Sequence, residues 1–230
     1  MMQIAVVVLA AGSGSRFGHG KNKVWLTLNG RSIISLSLSN AVRSFPGCRI
    51  VLVINPADLT IANEVIRRET PDLEVEIVSG GDSRHESEYN ALLHLAPAIE
   101  DGSINVVLIH DGARPLATSQ LFRDIAIAAQ DHGGALPAIT VDPREMDIAT
   151  NKEVVRVQTP QAFRAKELLS AYKQAHDENF IGTDTAACME RYFPRLHCVA
   201  VAGEIKNLKI TFSQDLVIAE HLLEMQEKNG

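Results

Sequence analysis

The sequence predicts an α/β protein with a single doubly wound, mostly parallel β-sheet. Short apolar runs alternate with stretches of helical periodicity along most of the 230 residues, and this alternation is typical of parallel strands joined by crossover helices. Several of the runs are apolar at every position, as expected for strands that are buried on both faces. A glycine-rich turn also follows the first run, at the end of the strand where such sheets bind ligands.

The elements follow one another in a regular order. Strands are predicted at residues 4–9, 50–54, 75–78, 106–109 and 135–140, and helices at residues 33–45, 57–69, 83–95, 119–131, 165–175, 184–192 and 214–227. Residues 142–157 break this rhythm, because the segment is polar, contains Pro143 and ends in a short strand at 154–157. We expect a protruding arm or dimer contact there. Residues 207–211 are predicted to be strand-like, and residues 1–230 to form one domain.

Composition excludes several classes of protein. A formal net charge of −6 argues against general nucleic-acid binding, which requires a basic face. No apolar run reaches the roughly 18 to 20 residues of a membrane span, and the N-terminus does not resemble a signal peptide. Cys48, Cys188 and Cys198 are odd in number and lack C-x-x-C spacing, which predicts reduced, packed thiols. We therefore expect a cytoplasmic protein that acts on small molecules.

The first functional signal is the loop after the first strand, where V-V-L-A-A-G-S-G-S-R ends at Arg16. Glycines let backbone N–H groups approach an oxyanion, and nearby cations favour phosphate. The spacing fits neither the dinucleotide fingerprint, because Phe17 occupies the third glycine position, nor the P-loop, because Asn22 follows Gly20-Lys21. A plain turn with solvated cations is the alternative interpretation. The lysine seven residues after Arg16, Lys23, gives a pattern that resembles sugar-nucleotide pyrophosphorylases and cytidylyltransferases.

Two further polar turns follow the third and fourth strands. The first, G-G-D-S-R at residues 80–84, either reads a base with its backbone or simply caps a helix through Asp82 or Ser83. The second, H-D-G-A-R-P at residues 110–115, carries a carboxylate suited to Mg²⁺ or a hydroxyl and an arginine suited to phosphate. A salt-bridged turn is the alternative there, and His110 is expected to be a packed strand-end residue.

These motifs, with N-K-V-W-L, Q-T-P-Q-A-F at 158–163, T-D ending at Asp184 and N-L-K-I-T at 207–211, occur together along nearly the whole chain. Their order and spacing resemble the 2-C-methyl-D-erythritol 4-phosphate cytidylyltransferase family, with ribitol 5-phosphate cytidylyltransferases as close relatives. The resemblance implies a Rossmann-like nucleotidyltransferase domain, a homodimer, and transfer of CMP from CTP to an alcohol phosphate with release of pyrophosphate. Asp184 is expected to act mainly as a helix cap.

The resemblance also implies roles for individual residues. It implies that the catalytic cations are Arg16, Lys23 and Lys209, that the nucleotide is held by Ala10, Ala11, Gly12, Gly14, Gly81, Asp82 and Ser87, and that the acceptor is bound by Asp111, Arg114 and Thr159. Mg²⁺ would bridge the triphosphate, with Asp111 as its candidate ligand. A phosphate monoester is already anionic near neutral pH, since its second pKa is about 6. Catalysis would therefore rest on positioning and charge neutralisation without a general base.

The arm departs from the family pattern P-V-x-D-T-x-K and from an arginine about eight residues before T-P-Q. Asp142 matches, but Pro143 takes the threonine position, Glu145 the lysine position, and Asn151 falls near the arginine position. Substitute cations in this region are Arg144, Lys152 and Arg156. Three hypotheses stay open: the methylerythritol phosphate enzyme with a remodelled arm, a transferase for another polyol phosphate such as ribitol 5-phosphate, and a weakly active nucleotide-binding paralogue.

Overall fold

A computed structural model describes residues 2–12, 22–142, 144 and 154–229, with side chains described as far as residue 225. Within these residues the strands are β1 (Ile4–Ala10), β2 (Thr27–Leu28), β3 (Arg31–Ser32), β4 (Arg49–Ile54), β5 (Val75–Ser79), β6 (Val106–Asp111), β7 (Gly133–Val141), β8 (Val154–Val157), β9 (Gln161–Arg164) and β10 (His197–Ala202). The helices are α1 (Ile33–Ser44), α2 (Leu59–Glu69), α3 (Arg84–Glu100), α4 (Ser119–His132), α5 (Ala165–Asp177), α6 (Thr185–Tyr192) and α7 (Ser213–Asn229).

The main sheet has the order β10-β7-β9-β6-β1-β4-β5, and β8 pairs with β7 outside this path. Strands β6, β1, β4 and β5 run parallel, as do β10 and β7. Strand β9 is antiparallel to both of its neighbours, and β8 is antiparallel to β7. The prediction of a doubly wound, mostly parallel sheet is confirmed. Because the chain leaves β1 towards β4 and later returns to its other side as β6, the carboxyl ends of β1 and β6 form a crevice.

Two apolar cores cover the faces of the sheet, and β1 contributes to both. Val6 and Val8 pack with α1, α2 and α4 on one face, and Ala5 and Val7 pack with α3, α5 and α6 on the other. This arrangement explains why β1 is apolar at every position. A smaller cluster includes Ile210 and ties α7 and the segment before it to the start of α1.

Apart from residues 207–211, the predicted strands and helices are present in the described residues, with shifted ends. The largest shift is in α3, which continues to Glu100 because Leu95 and Ile99 still face the apolar core. The short strand at 154–157 is also confirmed. No helix in the described part of the chain is long and apolar enough to cross a membrane. All three cysteines are free thiols, as predicted.

The two-stranded sheet of β2 and β3 was not predicted, and three further parts of the strand prediction differ from the structure. Strands β9 and β10 were not predicted, because β9 has only four residues and gains its partners, β6 and β7, from distant parts of the chain. Strand β10 lies at the sheet edge and is partly exposed along its length. The strand predicted at 207–211 is wrong: this segment is irregular and is held by contacts such as Ile210 N–H to the Ala113 carbonyl (2.9 Å).

The predicted arm falls mostly outside the described residues, which include neither Pro143 nor 145–153. The protruding shape of residues 142–157 therefore stays a prediction. Next to this gap, Asp142 accepts hydrogen bonds from the backbone N–H and the guanidinium of Arg144. Arg156 lies on β8 opposite Ile139 of β7.

Candidate functional site

A cleft of about 410 Å³ opens at the carboxyl ends of β1 and β6. The predicted site residues that line it come from separate segments of the chain: Ala10, Ala11, Gly12, Lys23, Asp82, Ser87, Asp111 and Lys209. Gly81, Arg114 and Thr159 lie beside it, each bonded to or within 4 Å of a residue of this set. Arg16 and Gly14 lie outside the described residues. The fold therefore gathers the sequence motifs around one opening.

Close packing joins the two loops that follow β1 and β5 at the cleft. Gly80 donates its N–H to the Ile54 carbonyl (2.7 Å), and a Cβ at this position would lie 2.4 Å from the Cβ of Ala11. Real side chains do not approach this closely, so only glycine lets the loop after β5 lie against the loop after β1. This contact brings residues 81–87 to the cleft.

The start of α3 is fixed by reciprocal hydrogen bonds. Ser83 is the N-cap residue, and its hydroxyl accepts the N–H of Glu86 (3.0 Å) while the Glu86 carboxylate accepts the N–H of Asp82 (2.8 Å). Ser87 donates to the Ser83 carbonyl (2.8 Å) and accepts the Gly81 N–H (3.1 Å). Of the two predicted caps, Ser83 is the one used. The positive end of the α3 dipole thereby lies at the cleft, where an anion is stabilised.

Lys23 begins a short 3-10 turn, Lys23–Trp25, which is anchored by the side chains of Asn22 and Trp25. The Asn22 amide donates to the Ala10 carbonyl (2.5 Å), and the Trp25 indole donates to the Asp58 carboxylate (2.9 Å). Both anchoring side chains belong to the N-K-V-W run, and their hydrogen bonds keep Lys23 at the cleft.

Asp111, at the end of β6, is the centre of a cluster of cations. Lys209 Nζ lies 2.7 Å and Arg114 Nε 3.7 Å from its Oδ2, and Arg84 Nη1 contacts its Oδ1. Burial alone would raise the pKa of the Asp111 carboxyl, which is 6% exposed, but attraction from Arg84, Lys209 and Arg114 outweighs it and holds the pKa well below its usual range. Asp111 is therefore an anion whose two oxygens are both engaged by cations.

This arrangement bears on the expected metal. A divalent cation bound to Asp111 would have to displace Lys209 or Arg84, which already neutralise the carboxylate. Within the part of the chain that the structure describes, no group of three His, Cys, Asp or Glu side chains is placed to hold a metal ion. The described side chains therefore do not fit a Mg²⁺ ion that is bound by the protein itself.

Behind Asp111, a chain of hydrogen bonds sets the position of its backbone. The Asp111 N–H donates to the Thr159 hydroxyl (3.0 Å), which lies 3.3 Å from His110 Nδ1, and His110 Nε2 lies 3.2 Å from the Arg114 carbonyl. Burial lowers the pKa of His110 to about 4. The imidazole is therefore neutral, with Nδ1 accepting from Thr159 and Nε2 donating to Arg114. His110 is a packed residue, as predicted, and Thr159 holds the backbone of Asp111 through its hydroxyl.

Two buried amides hold the segment that carries Lys209. Gln158 Nε2 donates to the carbonyls of Glu204 (2.8 Å) and Asn207 (3.1 Å), and Asn207 Nδ2 donates to the Thr159 carbonyl (2.9 Å). Arg114 also donates to the Asn207 carbonyl (2.7 Å). Sequence reasoning gave these amides no role, although each belongs to a motif that was singled out, Q-T-P-Q-A-F and N-L-K-I-T. They determine where the Lys209 ammonium lies.

The family model of 2-C-methyl-D-erythritol 4-phosphate cytidylyltransferase matches residues 4–225. The chain belongs to this family. Relatives named 2-C-methyl-D-erythritol 4-phosphate cytidylyltransferase include those of Bacillus mycoides, 33% identical over 97% of this chain and 99% of the relative, and Geobacillus kaustophilus, 34% identical over 96% and 97%. The cytidylyltransferase family is an enzyme family within the nucleotidyltransferases.

Solved structures support the same assignment. The 4-diphosphocytidyl-2C-methyl-D-erythritol synthase of Anaerococcus prevotii superposes with a TM-score of 0.79 at 26% identity, over 97% of this chain and 96% of that one. The 2-C-methyl-D-erythritol 4-phosphate cytidylyltransferase of Thermus thermophilus gives 0.69 at 28% identity, over 96% and 98%. This cytidylyltransferase therefore has the Rossmann-like nucleotidyltransferase fold that its motifs imply.

One residue that lines the cleft of this cytidylyltransferase had no predicted role. Arg84 begins α3, and its guanidinium reaches across the cleft wall to Asp111. Burial would lower the pKa of Arg84, but attraction from Asp111 and Glu88 outweighs it and raises the pKa, so the side chain is a permanent cation. The available signal was the motif G-G-D-S-R itself, together with the i, i+4 spacing of Arg84 and Glu88.

Proposed function

We propose that the protein transfers CMP from CTP to 2-C-methyl-D-erythritol 4-phosphate and releases pyrophosphate, a step of non-mevalonate isoprenoid biosynthesis. The observation that carries the proposal is the family match over residues 4–225 in a chain whose Lys23, Arg84 and Lys209 surround one cleft. Three cations that are fixed by the fold suit a reaction in which charge builds up on phosphate oxygens.

The proposed reaction is an in-line displacement at phosphorus. An oxygen of the acceptor phosphate forms a bond to the α-phosphorus of CTP, and the bond from that phosphorus to the oxygen that bridges it to the β-phosphate breaks. Pyrophosphate leaves with the electron pair. The attacking phosphate is already anionic at neutral pH, so the neutral His110 does not need to accept a proton. The protein contributes position and positive charge.

On the nucleotide side we propose that backbone groups of two loops hold cytidine and its phosphates. These are the groups of Ala10, Ala11, Gly12, Gly14, Gly81 and Asp82, with the Ser87 hydroxyl. Support comes from Gly12, which lines the cleft and around which no described atom would lie within 4 Å of an added Cβ. Lys23 and Arg16 would neutralise charge on the α-phosphate and on the leaving group.

On the acceptor side we propose that Asp111 accepts hydrogen bonds from acceptor hydroxyls while Arg114 and Lys209 attract its phosphate. Thr159 would act by fixing the Asp111 backbone, since its hydroxyl is already bonded to the Asp111 N–H. The cluster is suited to this task because it presents both an anion and excess positive charge to the same ligand.

We further propose that Mg²⁺ enters bound to the triphosphate of CTP, as part of the substrate and largely hydrated. Mg²⁺ retains several waters and is commonly bound through substrate phosphates, and Asp111 is engaged by cations. We also propose that the protein is a homodimer that works in the cytoplasm, as the resemblance and the composition led us to expect.

A second candidate acceptor is another polyol phosphate, such as ribitol 5-phosphate. The observation that favours it is the departure of the arm, where Pro143 and Glu145 replace a threonine and a lysine of the family pattern. A neutral proline and an acidic glutamate do not bind a phosphate as those residues would.

Pyrophosphate release distinguishes the candidates. The purified protein is given CTP and Mg²⁺ with either 2-C-methyl-D-erythritol 4-phosphate or ribitol 5-phosphate, and CTP binding is measured separately by calorimetry. We expect release with the methylerythritol acceptor and a much lower kcat/KM with ribitol 5-phosphate. The reverse order would replace the first acceptor by the second, and CTP binding without release on either acceptor would indicate a nucleotide-binding paralogue.

A further inference from the structure

A carboxylate lies buried directly behind the cleft wall. Glu88, on α3, is 1% exposed and lies where α3 packs against α5, beside the first residue of α6. The Tyr172 hydroxyl donates to its Oε2, the Thr185 hydroxyl donates to its Oε1 (3.2 Å), and Arg84 Nε lies 2.8 Å from Oε1. Glu88 thus connects α5 and α6 to Arg84, which lines the cleft.

Packing does not explain a carboxylate at this position. The elements around Glu88 form an apolar core that includes Leu92 and Ala91 on α3, and an apolar side chain of similar volume would avoid the cost of desolvating a charge. Burial raises the pKa of the Glu88 carboxyl, and the Arg84 guanidinium and the hydroxyls of Tyr172 and Thr185 offset this rise only in part. Three polar partners therefore surround a carboxyl group that apolar packing does not require.

Arg84 divides its guanidinium between two carboxylates. Its Nε faces Glu88 in the interior, and its Nη1 contacts Asp111 at the cleft. A planar guanidinium that lies between two carboxyl groups is restricted in its orientation as well as in its position. Arg84 therefore contacts Oδ1 of Asp111, while Lys209 and Arg114 both contact Oδ2. The orientation of the Asp111 carboxylate depends on this division.

We propose that Glu88 is a positioning residue for cytidylyl transfer, which holds Arg84 so that Asp111 keeps the orientation that binds the acceptor. This inference rests on the proposed function of the cleft. Without the Glu88 carboxyl group, Arg84 loses its interior partner and is free to turn, and Asp111 is drawn towards Lys209. The effect falls on the acceptor side, because the hydrogen bonds that shape the nucleotide loop, from Gly81 and Asp82, do not involve Arg84 or Glu88.

The kinetic test is Glu88→Gln, which preserves shape and replaces the carboxyl group by an amide. We expect the KM for the acceptor to rise roughly tenfold to a hundredfold, as for loss of a charged hydrogen-bonded pair, with the KM for CTP within about twofold of wild type. In an Arg84→Met background the same substitution should have no further effect. A wild-type KM in Glu88→Gln, or an equal effect with and without Arg84, would overturn the proposal.

Glu76→Gln is the matched control. Glu76 also pairs with an arginine, Arg49 (2.6 Å), but this pair lies near the amino ends of β4 and β5, away from the cleft. Its loss should leave both KM values unchanged. If Glu76→Gln raises the acceptor KM as much as Glu88→Gln does, the kinetic effect reports general loosening of the sheet, and the positioning role is wrong.

A measurement on Arg84 itself does not depend on activity. In ¹⁵N spectra the Arg84 Nε–H signal, assigned by its disappearance in Arg84→Met, should exchange slowly in the wild type and faster in Glu88→Gln. Tyr172→Phe, which removes one donor to Glu88, should change it in the same direction by less and serves if Glu88→Gln does not fold. An unchanged Arg84 signal in these variants would overturn the proposal even if the wild type proved inactive on both acceptors, whereas a changed signal in an inactive protein would contradict only the proposed function.

Discussion

The proposed nucleotide side and the proposed acceptor side of the cleft are built in different ways. On the nucleotide side, the hydrogen bonds of residues 80–87 mostly join residues within six positions of one another, as in the bonds of Ser83 and Ser87. On the acceptor side, Asp111 is bonded to Thr159 and paired with Lys209, which come from distant segments. A local loop can lose one bond and keep its shape, whereas a cluster assembled from distant segments loses stability and function together.

The largest expected effect on kcat comes from removing the lysine on either side of the cleft. Lys23→Ala and Lys209→Ala should each lower kcat by roughly 10² to 10³, because each removes a fixed cation from the developing charge. Lys206→Ala is the control, since Lys206 is an exposed lysine of the same segment as Lys209, and it should retain wild-type turnover. Pyrophosphate release checks all three variants. Wild-type turnover in Lys209→Ala would mean that the acceptor side supplies no charge to the reaction.

Asp111→Asn should show that the acceptor side also contributes to the stability of the fold. The substitution leaves Arg84, Lys209 and Arg114 without their shared carboxylate, and we expect the free energy of unfolding to fall by about 3 kcal/mol at pH 7. Because the folded pKa of Asp111 lies below its unfolded value, its stabilising contribution is present above about pH 4 and is lost as the pH falls further. Urea denaturation across this range should therefore show the deficit shrinking in acid. A deficit that does not change with pH would contradict this account.

Two glycines test the nucleotide side. Gly80→Ala should lower the free energy of unfolding by about 1 to 3 kcal/mol, because the new Cβ would meet Ala11 at 2.4 Å. Gly12→Ala meets no described atom within 4 Å, so it should leave stability nearly unchanged and raise the KM for CTP by filling space that the ligand needs. Denaturation and steady-state kinetics on the two variants should thus separate packing from binding. Equal losses of stability would show that both glycines are structural.

Ser83→Ala should have the smallest effect. It removes the N-cap hydrogen bond to the Glu86 N–H, a loss of about 1 kcal/mol. The bond between Ser87 and the Ser83 carbonyl remains, because it involves the backbone of residue 83. We therefore expect a modest fall in Tm and at most a small change in the KM for CTP. A large rise in that KM would show that the Ser83 hydroxyl contacts the nucleotide directly.

Prediction from the sequence succeeded where structure is local. Apolar runs predicted the strands that are buried on both faces, such as β1 and β6. The N-cap role of Asp184 was predicted from its position before α6. Strand β9 and the irregular path of residues 207–211 were not predicted. Their partners lie far away in the sequence, and periodicity carries no information about such pairing.

By itself the sequence determined the α/β class, the loops that meet at the carboxyl edge of the sheet, and membership of the cytidylyltransferase family. Tertiary structure alone decided that Asp111 is clasped by three cations, that Gln158 and Asn207 place Lys209, and that Glu88 stands behind Arg84. The physical reason is the range of the interactions. Turns, caps and apolar periodicity are set by neighbours along the chain, but the charge state and the orientation of a buried side chain are set by whichever distant groups the fold brings within a few ångströms.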